Sequence, residues 1–524
     1  MSDFPWLTAA IAVPAVGSAV VAALPQAREE LAKRLTFVLT LVVLAITLVM
    51  TVTFDTGSAR EGTAGALQFA EVHDWIPAFG IHYAVGVDGI AMVLILMSAI
   101  LVPVVVLAAW NEAEGTPDNP AKRSVKAYFA LILLLEAMMV GVFAATDVFL
   151  FYVFFEAMLI PVYFMIGSYG TGKRQYAAVK FLLYSLFGGL LMLVSVIGVY
   201  VLSARQTGEG TFLWEDLTKL TIADGTARWL FLGFFIAFAI KAPMWPFHTW
   251  LPDAAGSARP GTAVLLVGVL DKVGTYGMLR FCLELFPGAA HWFTWPVLIL
   301  SLVSIVYGAV VAIGQTDMLR LIAYTSVSHF GFITLGIWAM TSQGQSGASL
   351  YMVNHGFATG ALFIGAGFLI ARRGSPLISD YGGVQKVAPV LAGTFLVASL
   401  AGVALPGLNS FVSEFLVLIG TYTRYPVSAI IATTGIILAA VYILWMYQRL
   451  MTGPIQPKVE GMRDLNLREK WAVAPLVALI IAFGVYPKPL LDIINPAVGR
   501  TMEQVDMKDP APAVPAAAEQ GAHE

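Results

Sequence analysis

Residues 149–167 read FLFYVFFEAMLIPVYFMIG, nineteen residues that are almost all aromatic or aliphatic, with one carboxylate, Glu156, near the middle. As a helix such a run crosses the roughly 30 Å hydrocarbon layer of a bilayer, which takes about 20 residues. The pattern recurs along the chain. Apolar stretches of that length lie at about 4–24, 33–54, 89–110, 125–145, 147–168, 177–203 and 228–250, then at 260–283, 291–313, 319–341, 348–371, 388–418, 427–450 and 472–492. Unpaired backbone groups are too costly at membrane depth for strands or loops to face lipid, so the expected fold is an all-α polytopic membrane protein of about fourteen spans. Composition agrees. Of 524 residues, 58% are hydrophobic and 12% charged, about half the charge of a soluble domain. Mean hydropathy is +0.80. These values exclude a soluble enzyme, a nucleic-acid binder and a disordered chain. The net charge of −3 offers no basic surface, and one cysteine, Cys282, leaves no thiolate set for an iron–sulfur cluster or zinc.

Lysine and arginine orient the spans. Nineteen lie in loops after odd-numbered spans, nine on the other side, and two, Lys241 and Lys272, inside spans. The richer side is expected to be cytoplasmic, with both termini outside and the first span retained. A single transmembrane domain is expected over 1–502. It comprises spans 1–3, two five-span repeats at about 125–283 and 291–450, inverted relative to each other, and a last span at 472–492. The Ala/Pro-rich tail 503–524 is expected to be disordered. The connection 55–88 is expected to hold a short hairpin around Gln68–Ala84.

The informative residues are ionisable groups inside spans, each costing about 2.5–3.5 kcal/mol there. Glu156 lies on span 5, Lys241 on span 7, Lys272 on span 8 and Glu414 on span 12, with Glu136 on span 4 a fifth. His248, His329 and His355 fall in or beside spans. Tyr152 precedes Glu156 by one turn, Tyr276 follows Lys272 by one, and Asp271 directly precedes Lys272. One buried charge fixes helix register as an ion pair, and one histidine glues helices. Four central charges, two of each sign, exceed what a scaffold needs, since Ser or Asn would serve more cheaply. They point to a proton or ion pathway. Pro243 and Pro246 follow Lys241, and Pro406 and Gly407 precede Glu414. Both spans are therefore expected to break mid-membrane, as transporter helices do.

Charge spacing gives such a set its control. At an effective dielectric near 20, unit charges about 4 Å apart interact by about 4 kcal/mol, and by about 1.7 kcal/mol at about 10 Å. Opening or closing a Glu–Lys pair therefore decides whether the lysine keeps its proton, and the groups titrate as a set.

The runs FYVFFEAMLIPVYFMIG, IKAPMWPFHTWLPDA, DKVGTYGMLRF, TDMLRLIAYTSVSHFGF, YMVNHGFATGALF and LPGLNSFVSEF resemble the antiporter-like membrane subunits of bacterial proton-pumping NADH:quinone oxidoreductase, respiratory complex I, in the subunit M pattern. The resemblance implies 14 helices with two inverted five-helix repeats. It gives the pumping Glu–Lys pair to Glu156 and Lys241, the central lysine to Lys272 and the span-12 exit group to Glu414, with His248, His329 and His355 on the connecting path. A carboxylate at 414, where sister subunits L and N and the Mrp Na⁺/H⁺ antiporters carry lysine, marks subunit M. Ala255–Arg259 departs from the family's usual HTEAP stretch, and Asp271 stands where leucine is common. The resemblance further implies a subunit with no redox site or cofactor of its own. NADH, FMN, iron–sulfur clusters and quinone would be held by other subunits, with subunits L and N as neighbours in the bacterial inner membrane. An Mrp-type antiporter subunit is the alternative, with an assembly scaffold behind it.

Overall fold

The computed structural model describes residues 4–57, 67–114 and 123–511. Among these, eleven helices are long and apolar enough to cross a membrane, or twelve if Leu467–Val485 and Lys488–Gln504, which meet at 70°, form one broken span. Two other stretches read as spans carry helices that stop part-way. Asp224–Lys241 gives way to Trp250–Ser257, and Pro389–Gly402 to Asn409–Arg424. Both interruptions fall where the prolines were noted, and Lys241 is the last residue of its half-helix.

Burial is graded across the bundle. Every residue in the most apolar part of Pro260–Leu283 is buried, against 28% for Gln26–Thr53. Spans 3, 8, 10 and 11 form the centre, so Lys272 and His355 sit far from lipid.

Three local features were not read from the sequence. Span 5 is interrupted at Met158, between Val148–Ala157 and Leu159–Tyr169, two residues after Glu156. Pro161 explains it, because it has no N–H for the carbonyl of Ala157. Span 8 contains two wide π-type turns, Leu266–Leu270 and Met278–Leu283, on either side of the helix Asp271–Gly277. Such turns free backbone groups and gather at functional sites. The last span, read over 472–492, ends at Val485 and bends at Pro487 into Lys488–Gln504.

The starts of spans 5 and 10 are built alike. Asp147 accepts from the N–H groups of Phe149 and Leu150, while Thr146 and Val148 exchange backbone bonds with Phe212 and Trp214. Asp317 accepts from Leu319 and Arg320, while Thr316 and Met318 pair with Pro376 and Ile378. In the sequence's count, one helix follows four spans and the other nine, so the same device starts helices of opposite direction.

The hairpin around 68–84 is present as two antiparallel strands, β1 (Gln68–Ile76) and β2 (Ile81–Val87). The turn needs Gly80, at φ 60°, where a Cβ would lie 2.2 Å from the Gly210 carbonyl oxygen. At that same end Arg280 and Arg500 both hold the buried Asp88, at 2.7 and 2.8 Å, and Thr501 donates to Glu284 at 2.6 Å. This network fastens the second half of the bent last span to spans 3 and 8. Of the expected tail, residues 503–504 end this helix and 512–524 lie outside the described residues.

Candidate functional site

The π-type turn at Leu266–Leu270 leaves the Val267 carbonyl free of the regular helical ladder. The Lys272 ammonium reaches back to it and donates at 2.5 Å. The same nitrogen meets His355 Nδ1 at 2.7 Å and lies over the Phe330 ring at 5.2 Å. His355 Nε2 in turn lies 3.2 Å from the Ser326 hydroxyl. Its ring is 5.2 Å, centre to centre, from that of His329, which is 5.9 Å from the ring of Tyr351. The Tyr351 hydroxyl donates to Glu414 Oε2 at 3.2 Å. Lys272, His355, His329, Tyr351 and Glu414 thus form one buried polar string from span 8 through spans 11 and 10 to span 12.

The broken span 12 supports the far end of that string. The backbone of Gly402, the last residue before the break, acts on the His329 ring. Beyond it, Asn354 donates to the Asn409 carbonyl at 2.7 Å and Asn409 to the Asn354 carbonyl at 3.1 Å, which locks the start of the second half-helix to span 11. Glu414 follows on the same half-helix, one turn and a little further on.

Lys241 and Glu156 form a second group. Lys241 is buried at the end of its half-helix, and its ammonium lies 4.6 Å from the centre of the Phe155 ring with no hydrogen-bond partner among the described residues. Glu156 Oε1 also has none, and the two form no ion pair within 4.0 Å, yet their charges act on each other. The Glu156 carboxylate rests on Gly189 of span 6, where a Cβ would stand 1.6 Å from Oε1. Asp271 connects the two groups. It is fully buried, neither oxygen has a hydrogen-bond partner among the described residues, and it feels both Lys272 and Lys241. Gly274, on its face of span 8, is pressed against span 7, where a Cβ would lie 2.6 Å from the Ala242 backbone nitrogen. Asp271 therefore looks toward span 7 while Lys272 looks toward span 11.

The remaining candidates lie apart. His248 is buried between the rings of Tyr307 and Tyr324, at 5.0 and 6.2 Å, with neither ring nitrogen hydrogen-bonded. The Tyr276 hydroxyl donates to the Phe143 carbonyl at 3.1 Å and accepts from Arg280, so it belongs to the Asp88–Arg280 network rather than to Lys272. Tyr152 shares the half-buried flank of Glu156. Glu136 is fully buried and both its oxygens lack hydrogen-bond partners among the described residues. Sequence reading missed Tyr351. It precedes His355 by four residues, about one helical turn.

A sequence profile of the family described as NADH:quinone oxidoreductase/Mrp antiporter, TM, matches residues 145–440, which contain all four central charges. The chain belongs to this family. The NADH-quinone oxidoreductase subunit M of Mycobacterium tuberculosis is 52% identical over 98% of this chain and 97% of its own length. That of Rhodobacter capsulatus is 41% identical over 91% of each. A chain of the respiratory complex I structure from Thermus thermophilus with bound NADH superposes with a TM-score of 0.85 at 33% identity, covering 95% of this chain and 99% of that one. A chain of the Mrp complex from Dietzia sp. reaches 0.83 at 20% identity over 96% and 100%, a likeness of fold. In this member of the NADH:quinone oxidoreductase/Mrp antiporter family, the string is built of an ammonium, two imidazoles, a phenol and a carboxyl, all ionisable side chains.

Proposed function

We propose that the chain is the subunit M-type, proton-translocating membrane subunit of an NADH:quinone oxidoreductase, moving protons from cytoplasm to the outside. The single observation that carries this reading is the buried string from Lys272 to Glu414, a row of proton carriers at a depth where each charge costs about 2.5–3.5 kcal/mol. A scaffold gains nothing from it. Asp271 extends the row to Lys241, and Glu156 at the far end sets the load on Lys241 by moving toward or away from it.

Spans 4–8 and 9–13 act as two inverted repeats in this scheme, and the matched starts at Asp147 and Asp317 support that division. The driving energy arrives from quinone reduction in partner subunits, which hold NADH, FMN, iron–sulfur clusters and quinone. Glu156 sits on a half-buried flank among exposed Ile160, Phe164, Leu183 and Phe187. A carboxylate at that depth needs cover, so this flank docks a neighbouring antiporter-like subunit, L or N, in the bacterial inner membrane.

The test is Lys241→Ala in assembled complex reconstituted into vesicles. The expected result is quinone reduction with pumping abolished or sharply reduced. Full pumping per electron pair would defeat the reading, and pH shifts that depend on sodium would favour an Mrp-type antiporter.

A further inference from the structure

On the face that lysine and arginine assign to the cytoplasm, a cavity of about 1000 Å³ opens between the ends of spans 3, 5, 8 and 11. Its lining includes Glu112, which follows span 3, and Pro260 and Gly261, which begin span 8. Both Glu112 oxygens accept from the Gly261 N–H at 3.1 Å, a donor that a helix start leaves free. Tyr128 donates to Glu112 Oε2 at 3.2 Å, and its hydroxyl lies 3.2 Å from that of Thr262.

Arg123, Arg259, Arg463, Asp464 and Arg468 also line the cavity, and several of the charges around it are engaged elsewhere. Glu114 pairs with Lys33, Arg372 with Glu469 at 2.6 Å, and Arg174 donates to the Ser168 and Gly170 carbonyls. Glu112 forms no ion pair among the described residues, although Arg259 and Arg468 act on it from a distance. Burial pushes its carboxyl above the ordinary range, against the pull of the Gly261 N–H, Arg259, Tyr128 and Arg468.

What lies inward of this cluster is the start of the proton string. Lys272 reaches back toward the same end of span 8, to the Val267 carbonyl. Thr262 and Val267 are five residues apart, about 7–8 Å of helix rise. Hydrogen-bonded water steps roughly 2.8 Å, so about two waters cross that distance.

We propose that this cavity is the proton mouth of the cytoplasmic face and that Glu112 is its acceptor, loading the Lys272–His355 pair by way of Thr262. The proposal rests on the translocation reading above. A proton from the cavity forms the Glu112 O–H bond. That bond breaks as a proton is relayed inward and an N–H bond forms on the Lys272 amine, with no electron transferred.

The test uses the whole complex in vesicles, with pumping rate and assembled amount measured between about pH 6 and about pH 8.5. Glu112→Gln keeps an acceptor for Gly261 but takes up no proton. The expected result is normal assembly, near-normal pumping at the acid end and a loss of about tenfold at the alkaline end, where protons are scarce, with recovery in Glu112→Asp. If Glu112→Gln does not assemble, Thr262→Val is expected to give the same alkaline loss. Unchanged pumping at every pH, or an equal loss at every pH, overturns the assignment. Lys272→Met separates the two levels. If it stops pumping while Glu112→Gln is silent, only the mouth is wrong; if it pumps normally, the translocation reading falls as well.

Discussion

At the residue scale, the buried polar string from Lys272 to Glu414 depends on contacts that single substitutions remove. Tyr351→Phe keeps the ring against His329 but leaves Glu414 Oε2 without its donor, a loss of about 1–3 kcal/mol for a buried group. The expected outcome is intact assembly with pumping reduced several-fold, read by acidification per electron pair. Gly189→Ala puts a methyl 1.6 Å from Glu156 Oε1, and the flexible carboxylate yields before the backbone does. Assembly should be normal and pumping low, and restoration of pumping by shortening Glu156 to Asp in the same chain would show that displacement is the cause. Asp271→Asn keeps the shape while removing the charge between Lys241 and Lys272. Translocation past span 8 should slow while quinone reduction by NADH, measured with an uncoupler present, stays normal.

At the element scale, the breaks of spans 7 and 12 were legible because proline acts locally and the charges beside it are visible in one dimension. The other irregularities were not. The interruption after Glu156 required reading Pro161 as acting back on Ala157, and the π-type turns of span 8 carry no local mark in LLVGVLDKVGTYGMLRF. Helical spacing grouped Tyr276 with Lys272, but Lys272 runs back to Val267 while Tyr276 turns to Phe143 and Arg280. His248 was readable as buried but not as remote from the other histidines, because span-to-span contacts are tertiary. The close approach of spans 7 and 8 at Gly274 is likewise invisible in sequence. Gly274→Ala would press a methyl to 2.5 Å from the Phe238 carbonyl, against backbone that cannot yield. A destabilisation of about 1–3 kcal/mol is expected, seen as a lower thermal transition of the isolated complex.

At the scale of the whole molecule, a buried centre of spans 3, 8, 10 and 11 encloses Lys272, His355, His329 and Tyr351, while the outer spans are the more exposed. Glu156 lies at the margin of that centre, which links its position to whatever covers the flank of spans 5 and 6. Cross-linking from a cysteine placed at exposed Phe187 should capture an adjacent membrane subunit rather than lipid alone. The most direct measurement is the number of protons moved per electron pair by assembled complex carrying Lys272→Met. Translocation along Lys272, His355, His329, Tyr351 and Glu414 predicts a clear fall in that ratio, with the string cut at its first carrier. A ratio equal to that of the unaltered complex would contradict it.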